Sequence, residues 1–324
     1  MPRSAVPAAI GCFATPCPGR PHRHTAITHE RRSRLTRNVQ GMQGDYDVFD
    51  CHHHVGDVKA FLGDYLGDDL HEPEDPIAVE MKRRIEIMDA GGVRQAAVIP
   101  GHGYERPNGI ADTRAVNDAI AQYRDARPDR FPVAIGIAEP LYGAASLPEI
   151  DRCATELRLA GISFHTRFQG ASMDSPWILQ YVERMAEHGM VPVLHAMTES
   201  PDEALWKCAT VARAFPDVQM LVLDAFSTFE GTKECSDVGE QCPNLLFDTS
   251  LSYNFDFIEV FAQRFGAHRV VFGTDLYSPP LGRRISHLLP QILESSLSDE
   301  DKAAVLGGNA RRLFGLSGEP RASG

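Results

Sequence analysis

From Tyr46 onward the chain alternates short β-rich runs with longer amphipathic segments, and that alternation leaves few folds open. Eight runs read as strands: Asp47 to Val55, Arg94 to Pro100, Phe131 to Ala138, Gly161 to Thr166, Val191 to His195, Val218 to Asp224, Asn244 to Ser250 and Arg269 to Asp275. The stretches between them carry apolar residues at helical spacing, as in Ala78 to Ala90 with Val79, Ile85 and Met88, or Ser175 to His188 with Trp177, Tyr181 and Met185. Eight βα units in about 280 residues is the size of a single α/β (β/α)8 TIM-type barrel. A doubly wound sheet is the rival, but its GxGxxG after the first strand is missing, and the first strand ends in histidines instead.

Residues 1–44 do not belong to this pattern. They hold seven arginines and a single acid, Glu30, without apolar periodicity, and are expected to be a disordered or mis-started tail, with Met42 the first residue of the functional chain. The barrel is expected over 45–318, followed by a short tail, 319–324. With 32 Lys+Arg against 44 Asp+Glu the chain carries a net charge of -12, which disfavours nucleic acid and anionic membranes as partners. The best apolar stretches are broken early by Glu139, His195 or Asp224, too soon to span a bilayer. Seven scattered cysteines form no CxxC pair and no disulfide framework, which suits a reducing cytoplasm.

The chemistry begins in Asp50-Cys51-His52-His53-His54. Alternation along a strand puts Asp50, His52 and His54 on one face, where two imidazoles at i and i+2 can converge on one cation. A barrel keeps its active site at the C-terminal ends of its strands, so further ligands are expected there. Strand four ends in His165, strand five in His195, strand six in Asp224 and strand eight in Gly273-Thr274-Asp275. Each closes an apolar run, where an imidazole or carboxylate is costly to bury unless something satisfies it. A hydrogen-bonded cap would explain any one of them, but not the whole set at one end of a barrel.

This combination, with the terminal Gly308-Asn309-Ala310-Arg311-Arg312-Leu313-Phe314-Gly315-Leu316, resembles the amidohydrolase superfamily, in the branch of aminocarboxymuconate-semialdehyde and resorcylate decarboxylases. The resemblance covers about Asp47 to Leu316. It implies a metal-dependent barrel acting on a small carboxylated or lactone-type substrate by hydrolysis, hydration or non-oxidative decarboxylation. Carried over position by position, it makes His52, His54, His195 and Asp275 the ligands of a divalent metal, zinc or manganese.

One departure matters: that branch usually ends strand six with a histidine, and this sequence has Asp224, a weaker base at neutral pH. Asp224 or Asp275 is expected to move the proton. His165, Glu199 and Asp224 together can complete a second metal site, and so enlarged a set would also suit a dinuclear non-haem iron or iron/manganese oxygenase. A non-catalytic, metal-stabilised binding protein is the third reading. Arg167 is a candidate for a substrate carboxylate and His102, on a glycine-bracketed loop, for a substrate contact. Asp50, Asp248 and Glu199 are expected to support the ligands from behind. The expected partner is a small molecule, with a homo-oligomer left open.

Overall fold

The structure, a computed structural model, describes residues 46–56, 76–101, 107–277 and 286–316. The expected tails at 1–44 and 319–324, and His102, lie outside the described residues.

Eight parallel strands stand in chain order around a (β/α)8 barrel: β1 Phe49–Val55, β2 Gln95–Pro100, β3 Val133–Ile137, β4 Gly161–Phe164, β5 Val191–His195, β6 Met220–Leu223, β7 Leu245–Asp248 and β8 Val270–Val271. A helix follows each strand: α1 Pro76–Gly91, α2 Ile110–Ala126, α3 Leu147–Thr155, α4 Pro176–Glu187, α5 Leu205–Ala214, α6 Phe229–Gln241, α7 Phe255–Phe265 and α8 Leu288–Glu294. All eight expected strands are present. The last is much shorter than its apolar run, because the chain leaves the ladder before Gly273-Thr274-Asp275 and Asp275 turns to φ +56°. The barrel closes through backbone bonds from that extension, His54 N to Leu276 O at 2.8 Å and Leu276 N to His52 O at 3.3 Å, with Cys51 N to Phe272 O at 2.9 Å below them.

Local sequence explains the helices. In α4, Ser175 caps the first turn by accepting from Ile178 N, Pro176 follows it, and Ile178, Tyr181, Val182 and Met185 form the buried stripe. In α1 the buried face is Met81, Arg84, Ile87 and Met88, whereas Val79, expected on it, is exposed. An arginine therefore occupies the core side of an otherwise apolar stripe.

Inside the barrel, Phe49, Cys51, Ala97, Ile99, Val133, Val193 and Leu221 interdigitate, and the C-terminal residues Ala310, Leu313 and Phe314 belong to the same buried cluster. The terminal helix thus plugs the floor, at the N-terminal ends of the strands. Arg311 fixes it there, pairing with Asp47 at 2.9 Å and lying over the Phe49 ring. Gly307 is required at the approach, since a Cβ on it would lie 2.4 Å from Asp47 O. No described helix is long and apolar enough to cross a membrane.

Candidate metal centre

With the floor sealed by apolar side chains, the polar residues gather at the mouth. The pairing of β1 with β2 shifts register between Asp50 and His53. Unbroken alternation along β1 is therefore not what the structure shows: Phe49 and Cys51 point into the barrel, and beyond the shift His52 and His54 take the inner side. Asp50, expected behind the His52 imidazole, instead bonds the backbone N of His52 at 3.0 Å and of Thr274 at 3.1 Å, and His53 Nε2 at 2.9 Å.

His52, His54 and His195 are buried, and their Nε2 atoms converge, His52 to His54 at 3.0 Å and His54 to His195 at 3.3 Å. Asp275 Oδ1 joins them, 3.3 Å from His52 Nε2 and 3.5 Å from His54 Nε2. Each ring is held by its other nitrogen: Nδ1 of His54 donates to Pro100 O at 3.2 Å, Nδ1 of His195 to Phe164 O at 3.2 Å, and Nδ1 of His52 faces Asp248 Oδ2 at 2.9 Å and Ser250 Oγ at 3.1 Å. Carbonyl oxygens only accept, so those bonds fix the proton on Nδ1 and leave lone pairs at Nε2. Lone pairs turned on one another at this distance repel unless a cation lies among them. Asp275 Oδ1, buried and without a hydrogen-bond partner, asks for the same thing. Three imidazoles and a carboxylate converging at a barrel mouth fit a divalent metal of the zinc or manganese kind.

The surrounding charge agrees. Burial alone would lower the pKa of His52, but Asp275, Asp248 and Asp224 outweigh it and push it up to about 10. Burial raises Asp224 well above the usual carboxylate range, with Asp275 adding to the effect, and pushes Asp275 up to about 6 against the pull of His52. The pocket is short of positive charge.

Asp224 stands on the other side of His52, 3.9 Å from Nδ1, in a second group with Asp248. Ser250 Oγ donates to its Oδ1 at 2.7 Å, and its backbone N donates to Asp248 Oδ1 at 2.9 Å. Asp248 thus secures an imidazole with one oxygen and the backbone of Asp224 with the other. Asp224 and Asp275 both adopt left-handed φ, +65° and +56°, an unfavourable conformation for a residue with a Cβ that tertiary bonds must hold.

His165 is not brought into the Nε2 group among the described residues. Its ring lies flat on His195, 4.1 Å between centroids and 3° between planes, and its Nδ1 bonds Glu203 at 2.5 Å. Glu203 is fully buried, also accepts from Arg167 N at 3.1 Å and lies 3.5 Å from Arg167 Nε. Burial pushes its carboxyl up to about 7, although Arg167 pulls the other way. Glu203 is not among the residues expected from the sequence; Glu199, expected in its stead, is exposed and edges a cleft of about 430 Å³ shared with Ser227, Ser250, Tyr253, Thr274 and His287. The only signal in the sequence was an acid in the loop after β5, where Glu199 looked equally suitable. Arg167 stacks over Phe168 at 4.6 Å and remains partly exposed, and Tyr277 lies against the His54 ring at 4.9 Å.

A family model described as amidohydrolase matches residues 49–316. The chain is 25% identical over 241 residues to the 2-amino-3-carboxymuconate-6-semialdehyde decarboxylase of Dictyostelium discoideum, a match spanning 62% of this chain and 66% of that protein's length. Among solved structures it is similar to a 5-carboxyvanillate decarboxylase from Novosphingobium aromaticivorans with bound manganese, at a TM-score of 0.63 and 18% identity over 85% of this chain and 99% of that one. It is also similar to a 4-oxalomesaconate hydratase from Rhodopseudomonas palustris, at a TM-score of 0.63 and 16% identity over 83% and 96%.

Proposed function

The chain belongs to the amidohydrolase family, and from that premise we propose that it is a metal-dependent enzyme removing a carboxyl group, without oxygen, from a small carboxylated ring or unsaturated acid. The convergence of three Nε2 atoms with Asp275 Oδ1 at 3.0–3.5 Å carries the reading. The sequence relative, a decarboxylase, supports the reaction type, and manganese in a structural neighbour supports the kind of ion.

His52, His54, His195 and Asp275 would hold zinc or manganese, and the ion would supply Lewis acidity towards a substrate oxygen. The chain's own residues do the rest. Arg167, at the rim beside His165, meets a substrate carboxylate through its planar fork. Asp224 carries the proton: its carboxyl gives H+ to the ring carbon as the bond to the carboxylate breaks, CO2 departs, and the electron pair of that bond becomes the new C–H bond. Ser250 and Asp248 keep Asp224 in place for this. A reducing, cytoplasmic setting suits the buried free thiols of Cys51, Cys153, Cys208, Cys235 and Cys242.

The engagement of His165 with Glu203 and of Asp224 with Ser250 favours neither the dinuclear oxygenase nor a closed structural site. The test is to load the protein with zinc or manganese and assay carboxylated aromatic and muconate-type acids for CO2 release under nitrogen. Release without oxygen supports the proposal. Oxygen consumption, hydration of the double bond with the carboxylate retained, or no release across the panel overturns it.

A further inference from the structure

The buried arginine of α1 has a place in this site. Arg84 is fully buried, and its guanidinium spans the seam of the barrel: Nη2 donates to His54 O at 2.8 Å on β1, and Nη1 to Leu276 O at 3.2 Å on the extension of β8. His54 supplies one converging nitrogen, and Leu276 follows Asp275, which supplies the converging oxygen. Here β8 itself contributes only Val270 and Val271 to the ladder, and beyond them β1 is joined to the extension by Cys51 N to Phe272 O and, around the His53–Leu276 bridge, by His54 N to Leu276 O and Leu276 N to His52 O. The guanidinium adds a side-chain rung beside the last of these backbone rungs, sharing Leu276 O with His54 N and fixed by a rigid planar fork.

Its charge is matched within reach. Glu80, one turn earlier on α1, accepts from Arg84 Nε at 2.9 Å and Nη2 at 2.6 Å, and Tyr123 of α2 donates to the other Glu80 oxygen at 2.7 Å. An apolar residue would fill this position on α1, beside Met81 and Met88, without the desolvation of an ion pair. What an apolar residue would not do is hold two carbonyls of different strands at a set separation.

We propose that Arg84 is a positioning residue of the metal centre: through His54 O and Leu276 O it sets His54 Nε2 and Asp275 Oδ1 at the 3.5 Å separation from which both meet one ion. Glu80 and Tyr123 hold Arg84 in turn. This rests on the reading of the Nε2 cluster as a metal site.

The test is zinc affinity, measured by competition with a chromogenic chelator, in wild type, Arg84→Met, Arg84→Lys and Tyr123→Phe. Arg124 supplies the control, since it caps Leu157 O and Arg158 O, both at 2.9 Å, away from the seam, and Arg124→Met removes a comparable buried cation. Arg84→Met is expected to weaken zinc binding at least about tenfold, in the range found when the support of a ligand is removed. Arg84→Lys is expected to recover part of the loss, and Tyr123→Phe to weaken binding a few fold. Arg124→Met should lower the melting temperature yet keep wild-type affinity. Equal affinity in wild type and Arg84→Met, or an equal loss in Arg124→Met, overturns the proposal. Should Arg84→Met not fold, Tyr123→Phe decides by the same comparison. A wild type that binds no zinc or manganese would overturn the metal site itself, a different result from a metal site indifferent to Arg84.

Discussion

Asp248 Oδ2 lies 2.9 Å from His52 Nδ1, and a Cβ on Gly273 would come within 2.6 Å of that oxygen. The carboxylate that aligns the first imidazole is accommodated only because the residue facing it, just beyond the last strand, has no side chain. Asp248→Ala should lower metal affinity about 10- to 100-fold while the barrel stays folded. Gly273→Ala should do the same by displacing Asp248, and cost about 1–3 kcal/mol of stability through overpacking. Metal titrations and thermal melts check both, and unchanged affinity in the two variants would remove Asp248 from the site.

His52→Ala and His195→Ala should each lose most of the bound metal and nearly all activity, with circular dichroism unchanged. Elemental analysis of the purified variants is the measurement. Full metal content in both would sink the four-residue set.

Asp224→Asn should keep its metal, because Asp224 stands on the Nδ1 side of His52 rather than with the Nε2 atoms. The rate should fall by roughly 10²- to 10⁴-fold, the usual contribution of a positioned acid or base. Asparagine also tolerates the +65° φ at this position, so stability should change little, whereas Asp224→Val should cost about 1–2 kcal/mol more. Loss of metal in Asp224→Asn would make Asp224 a ligand after all.

Glu203 gives a pH test. Its carboxyl is pushed from 4.5 up to about 7 by burial, so the folded state holds a proton that the unfolded chain releases. Stability from this group is fully present below pH 4.5 and is lost as pH rises through about 7. Glu203→Gln cannot lose that proton, so its melting temperature relative to wild type should climb between pH 5 and pH 8. A difference that stays flat with pH would place the raised pKa elsewhere.

The barrel was legible because strand and helix periods are local properties of the chain; the strand-end rule pointed to His165 and Asp224 as readily as to His195 and Asp275, and it was the family resemblance that singled out His52, His54, His195 and Asp275, the residues the fold brings together. What could not be read depends on contacts between distant segments. Alternation along β1 implied that Asp50 would follow His52 to the same side, and nothing in Asp50-Cys51-His52-His53 announces the register shift that separates them. Nothing in the sequence sets Arg84 apart from the other charges of α1, since helical spacing does not say that the seam between β1 and the extension of β8 lies opposite. Glu203 and Glu199 are equivalent as letters in a loop, and only the folded path buries one and exposes the other.

The plug at the floor of the barrel has a consequence for the order of synthesis. Ala310, Leu313 and Phe314 share a buried cluster with Phe49, so the first strand finds part of its interior cover in residues translated after all eight strands. A nascent chain still lacking this helix has an open-bottomed barrel, with the Phe49 ring and its neighbours facing water. The interior is therefore covered only once this segment has been made and has docked beneath the first strand. A chain stopped before Asn309 should bind a hydrophobic dye and resist refolding, and one that refolds as the full chain does would show the plug to be dispensable.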